Sequence, residues 1–269
     1  MSNDSAKKSS PHKRFVIKPL IWIVGILLVL ILAALIFINP LLKFGIESIG
    51  SKIAGVDMKV ESINVSPLQG RMEIRELIIS NPADKGYASD YAIRLGHVDA
   101  DIVPSTLVCG PKTVVEDITL KDIIIHYETG LLLNSNLQDI LDNLNRLSGK
   151  SDKKEDKAEK KEESEGRNLQ VDHFVMENVG LYIIAKGTTK TGAGIPLTIP
   201  DIGPLGTNPE GITPAELCID ALTEILVCAS KQAGLKISDS VVQAGEALTT
   251  GGKAAVDKTV EGLKGLLGK

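Results

Sequence analysis

The hydrophobic pattern changes rhythm along the chain. From Leu20 to Ile38 the residues are apolar without a break or a charge. At about 1.5 Å of rise per residue, such a helix covers the hydrocarbon core of a bilayer. Leu42, Ile46, Ile49 and Ile53 then recur at helical spacing, so a helix is expected to continue to Gly55. From Val56 the period drops to two: Val56, Met58 and Val60 alternate with polar residues before the phase slips to Ile63 and Val65. The next strand behaves the same way, with Met72 and Ile74 giving way to Leu77 and Ile79. Alternation with one wet face predicts antiparallel strands packed on one side. Ser66-Pro67 with Gly70, and Asn81-Pro82 with Gly86, supply the turns.

The slip recurs in an internal repeat. Val115, Ile118, Leu120, Ile123, Ile125 and Tyr127 match Val171, Phe174, Met176, Val179, Leu181 and Ile183 at a constant offset of 56 residues. A one-residue slip would turn every side chain to the other face, so each copy needs a kink, expected at Lys121-Asp122 and Glu177-Asn178. A sheet kinked at one level in successive strands curls into a trough; the competing reading is two ordinary hairpins that share a pattern.

Between the copies, Leu137, Ile140, Leu141 and Leu144 line one face of a helix over 136–147, with Ser135 and Gln138 as a capping box. Residues 150–167 hold seven basic and seven acidic side chains and read as a solvated linker. Gly187 to Gly194 is a turn, and the prolines of Ile195-Pro-Leu-Thr-Ile199-Pro restrict it to an edge strand or an extended segment. Thr213-Pro214-Ala215-Glu216 opens a helix whose apolar side is Leu217, Ala221, Leu222, Ile225 and Leu226. In the last stretch, Val256, Val260, Leu263 and Leu267 form a sparse stripe interrupted by glycines. It suits either a tail on a partner surface or membrane, or a frayed solvated helix.

Charge settles orientation. Lys7, Lys8, Lys13, Arg14 and Lys18 precede the apolar run, which places the N-terminus in the cytoplasm. The run ends in Ile38-Asn39-Pro40 without a small-x-small site, so it reads as an uncleaved signal anchor with Trp22 near its cytoplasmic end. A net charge of −4 and 3% aromatic residues argue against nucleic acid. Cys109, Cys218 and Cys228 are too few for a disulfide framework. His12, His97, His126 and His173 fall in no metal spacing, and those on strands, His126 and His173, are expected to face solvent. No nucleophile elbow or phosphate loop occurs. The reading is a non-enzyme with no catalytic residue, cofactor or metal.

The segments Met72-Glu-Ile-Arg-Glu-Leu-Ile-Ile-Ser-Asn-Pro82 with Gly86-Tyr87, Ala92 to Ile102 with Pro104-Ser-Thr-Leu107, Val115 to Tyr127 with Asn136-Leu137, and Ile195 to Ile202 through Gly211-Ile-Thr-Pro-Ala-Glu-Leu217 carry a resemblance by their order. In these the chain resembles a small member of the AsmA family of envelope proteins. The resemblance implies a single-pass inner-membrane protein with most of its mass in the periplasm. It also implies kinship with bridge-like proteins whose β-grooves carry phospholipids between membranes. It offers no catalytic residues.

The expected architecture is α+β: an N-terminal transmembrane helix, a curved, groove-like antiparallel sheet of about eight strands, and C-terminal helices. Its parts are a cytoplasmic N-terminus (1–19), the anchor (20–39), a first groove part (40–149), the charged linker (150–167), a second groove part with a closing helix (168–232), and a helical tail (233–269). The first functional expectation is phospholipid binding or transfer, with Val115, Ile118, Leu120, Ile123, Ile125, Val171, Phe174, Met176, Val179 and Leu181 lining the groove. The second is a structural or interaction module of the envelope, in which the helices cover the trough as ordinary core and the tail binds another envelope protein.

Overall fold

A computed structural model describes residues 13–129, 135–147, 167–188 and 192–235, with side chains from residue 22 onward except those of residues 31 and 34. The linker expected at 150–167, apart from Arg167, and the tail beyond Leu235 lie outside the described residues. The chain divides into two units, residues 1–41 and 42–269.

In the first unit the apolar run is helical, within α1 (Lys13–Gly45). Within Trp22–Ala54 the most apolar 18-residue window has a mean hydropathy of 2.9 and none of it is buried, so this is one helix long and apolar enough to cross a membrane. Trp22 is 74% exposed, and Leu27, Leu28 and Val29 are each more than half exposed.

The second unit begins with the end of that helix, a π-turn (Ile46–Gly50) and a last turn α2 (Ser51–Ala54). Gly55 closes it at φ 65°, as the sequence led one to expect. Among the described residues six strands follow: β1 (Met58–Ser66), β2 (Arg71–Ile79), β3 (Ile93–Ile102), β4 (Thr113–Thr129), β5 (Leu169–Ala185) and β6 (Ile195–Leu197), adjacent in that order. A short helix α3 (Pro104–Val108) joins β3 to β4; α4 (Asn136–Leu147) follows β4, and α5 (Pro214–Ala233) follows β6. The fold is therefore α+β.

The sheet is mixed and open, not wholly antiparallel. β1 to β4 and β5 to β6 run antiparallel, but β4 and β5 are parallel. The 39 residues between these two strands form a crossover containing α4, and a crossover of this length returns the chain to the same end of the sheet. A hairpin reading misses this, because periodicity carries no strand direction.

Local signals hold at the helix starts. Thr213 Oγ1 accepts from Glu216 N–H at 3.2 Å while Glu216 Oε2 accepts from Thr213 N–H at 2.9 Å, a complete capping box with Pro214 at the first turn. At α4 only half the expected box forms: Ser135 Oγ accepts from Gln138 N–H, but the Gln138 amide turns to Asp142.

Part of each sheet edge is covered. The Glu47 carboxylate and Ser51 hydroxyl accept from the N–H groups of Val60 and Met58, and Lys43 donates to the Glu61 carbonyl. Along β5, β6 is followed by an extended segment that exchanges hydrogen bonds between Leu205 and Val171 and between Ile212 and Leu169. Gly203 makes this approach feasible, since a Cβ there would lie 2.3 Å from the Asp172 carbonyl oxygen. Unpaired strand edges invite association, and here the first half of β1 and the outer flank of β5 are occupied.

Candidate functional site

The 56-residue repeat is a contact in space. In the parallel β4–β5 register Val115 pairs with Val171, Ile118 with Phe174, Leu120 with Met176, Ile123 with Val179, and Ile125 with Leu181. The two copies therefore lie side by side, and the ten residues expected to line a groove form one wall.

That wall is packed. Nine of the ten are buried, from 0% exposed at Ile125, Val171 and Leu181 to 9% at Leu120; Ile118 is half-buried against them. The same cluster contains Leu137, Ile140, Leu141 and Leu144 of α4, and Ile219, Leu222, Ile225 and Leu226 of α5. These are the apolar faces anticipated for the two helices. Leu197, Ile199 and Leu205 extend the cluster on the β5 side.

The expected slips appear as a line of interruptions across five strands. Ladder pairing skips one residue at the same level in each: Glu61, Glu76, Gly96, Asp122 and Asn178. Glu76, Asp122 and Asn178 take positive φ of 48°, 55° and 53°, which non-glycine residues seldom adopt. Asn178 Nδ2 donates to Asp122 Oδ1 at 2.6 Å, tying the two copies together at the crease. At Gly96 a Cβ would sit 2.9 Å from the Asp122 Cβ, so only glycine passes there without displacement. A second interruption, at Glu116 and Asp172, was not expected. Its signal is the three-residue step from Val115 to Ile118, repeated from Val171 to Phe174.

On the opposite face, beyond the crease, lies a polar clamp that periodicity cannot reveal. Glu128 alternates as a wet-face residue, yet it is fully buried under the loop that follows β2. Its carboxylate accepts from Ala88 N–H, Ser89 N–H and Ser89 Oγ at 2.8 to 3.0 Å. Burial alone would raise its pKa, but these donors outweigh burial and hold it below the ordinary glutamate value. Asn136, also fully buried, accepts from Glu128 N–H and donates to His126 O and Asn81 Oδ1. Asn81 in turn donates to Ser89, and the Tyr87 hydroxyl donates to Asp139. Burial and the Asp139 carboxylate push the Tyr87 hydroxyl well above its usual range.

His126 does not face open solvent. Its ring stacks on Tyr91 at 4.3 Å and meets the edge of Tyr182 at 5.8 Å, and its buried Nδ1 makes no hydrogen bond. Burial lowers its pKa. His173 is exposed as expected and pairs with Asp201, which raises its pKa. Elsewhere on the polar face, Arg94 makes a bidentate pair with Glu76, Lys121 pairs with Asp99, and Glu73 accepts from Arg75 and His97. An open cleft of about 500 Å³ lined by Lys59, Val60, Glu61, Glu76, Ile78 and Arg94 adjoins the crease. Its principal cation is already taken by Glu76, and no nucleophile adjoins a base among its lining residues.

No family model, curated protein or solved structure matches this chain.

Proposed function

We propose that this protein is a membrane-anchored, non-catalytic interaction module: a helix holds a creased α+β domain at the surface of a bilayer, and that domain presents its charged sheet face and ends to other proteins. The burial of the apolar wall carries this reading, because side chains already buried in one cluster with α4 and α5 offer no free surface to a ligand. The basic N-terminal flank and the apolar helix support a single-pass anchor with its N-terminus inside and the folded unit outside. With the order of the segments that resemble the AsmA family, the compartment of choice is the periplasm, with the inner membrane as the anchor site.

One observation favours a second reading, phospholipid handling on the same wall. The ten wall residues span 115–125 and 171–181 of the paired strands, so the apolar wall runs for roughly 35 Å, longer than an extended acyl chain. Lipid would have to open the cluster that buries this wall. Native mass spectrometry of the detergent-extracted protein separates the two readings: the module predicts no stoichiometric phospholipid, whereas lipid handling predicts a bound phospholipid that Ile123→Asp removes while the domain stays folded.

A further inference from the structure

Among the described residues, the second unit exposes large apolar side chains in two places. Leu42, Phe44 and Ile49 stand on the helical turns with which it begins. Leu68, in the turn between β1 and β2, and Leu107 and Val108 of α3 stand at one end of the sheet, with Leu68 88% and Val108 84% exposed. The opposite end presents Ala83, Asp84 and Lys85 instead. Single apolar side chains scattered over a surface are ordinary, but these share one corner. Ile102 N–H donates to the Gly70 carbonyl at 2.7 Å, and a Cβ on Gly70 would lie 3.1 Å from Pro104 Cγ, so the β1–β2 turn lies against the start of α3. The corner is also braced. Arg167 donates to the carbonyls of Leu107 and Gly110, and Thr106 Oγ1 donates to the Val103 carbonyl while accepting from Val114 N–H.

Chain connectivity indicates what this corner meets. Only Asn39, Pro40 and Leu41 separate the apolar run, which ends at Ile38, from the start of the unit at Leu42, about 6 Å of helix. Inside the unit this helix runs backwards along β1: Lys43 donates to the Glu61 carbonyl, Glu47 accepts from Val60 N–H, and Ser51 accepts from Met58 N–H. Its start is therefore directed toward the Ser66 end of β1, the end that carries Leu68 and α3.

We propose that Leu68, Leu107 and Val108 dip into the headgroup layer of the bilayer that holds the anchor, as a second, peripheral membrane contact. The inference rests on the anchor reading above and adds an orientation to it. The α3 end of the sheet lies against lipid, which leaves the charged face and the end under the 81–91 loop to other proteins. Apolar side chains gain by burial at the boundary between headgroups and acyl chains, and nearby cations add attraction to anionic lipid. Lys112 and Arg167 border the corner and donate to the uncharged carbonyls of Gly206, Asn208, Leu107 and Gly110, bonds that leave their positive charge to act on lipid phosphates.

Trp22 is the sole tryptophan of the chain, so quenching by brominated lipid reads one position at a time. The full chain is reconstituted in vesicles of phosphatidylglycerol with phosphatidylcholine brominated near the headgroup end of one acyl chain, and its emission is compared with that in unbrominated vesicles. Trp22 of the native chain should be quenched; an unquenched Trp22 would sink the anchor reading, and this inference with it. In Trp22→Phe chains, Leu68→Trp or Val108→Trp should lose at least a third of its emission, whereas Asp84→Trp at the opposite end should keep its emission. Quenching at Trp22 with none at positions 68 and 108 would overturn the lipid contact alone and leave the corner to a protein partner. Quenching at position 84 equal to that at 68 would also overturn it. Because tryptophan itself seeks interfaces, a last variant adds Val108→Asp to the Trp22→Phe, Leu68→Trp chain. Position 108 is exposed, so the urea midpoint should not move while at least half of the lost emission returns, and undiminished quenching would count against the proposal.

Discussion

Ile123→Asp places the packing of the apolar wall under direct test. Ile123 is 1% exposed, between Leu95 of β3 and Val179 of β5. Removing its side chain from such a site costs about 2 to 5 kcal/mol in transfer and cavity terms. The introduced carboxylate has no cation to pair with in the apolar cluster, so burial raises its pKa above the unfolded value of about 3.9. Protonating it at pH 7 costs about 4 kcal/mol, some three units at 1.36 kcal/mol each. Because the folded pKa is the higher one, this second penalty is absent below the unfolded pKa and grows as pH rises. The total, about 6 to 9 kcal/mol, is comparable with the whole stability of a typical domain. Urea unfolding of the solubilised protein by far-UV circular dichroism should therefore find Ile123→Asp largely unfolded at pH 7.5, with roughly 3 kcal/mol regained at pH 4.5 relative to wild type at the same pH. A variant that unfolds at the wild-type urea midpoint at pH 7.5 would mean that position 123 faces a space the chain does not fill, and would refute the packed-wall argument.

Glu128→Gln removes the charge that gathers two backbone N–H groups and a hydroxyl, and should destabilise by about 2 to 4 kcal/mol in chemical denaturation; a loss under about 0.5 kcal/mol would show that the clamp is incidental. Gly96→Ala should cost about 1 to 3 kcal/mol by the same assay, since its methyl meets the main-chain-fixed Cβ of Asp122 at 2.9 Å. An unchanged midpoint would mean that the crease yields freely. His126 has a depressed folded pKa, so the unfolded chain takes up its proton first as pH falls below about 6.5, and stability declines with acid. Replacing it with Phe should flatten that limb of the profile between pH 8 and 5, and a profile that keeps its slope would remove His126 from the account. His173 has the opposite sign, because Asp201 raises its pKa, but its exposure keeps the contribution small.

Much of this fold is written in local pattern. The apolar run, the stop at Gly55, the helix over 136–147, the Thr213 box and the proline-limited edge strand each depend on neighbours within four residues, and each appears where the pattern puts it. The kinks at Asp122 and Asn178 were legible because a period-two pattern that slips has to be broken in the backbone. Strand direction, the burial of Glu128, and the seating of His126 between two tyrosines were not legible. Each depends on residues tens of positions away: the crossover that returns β5 beside β4, and the 81–91 loop folded over the end of the sheet.

The sequence by itself determined which side chains are apolar together and where the backbone must bend, since both follow from spacing along the chain. Whether the apolar wall meets a helix or a void is a property of the assembled volume. Only the tertiary structure, by bringing α4 and α5 into one cluster with β4 and β5, decided that these residues are core.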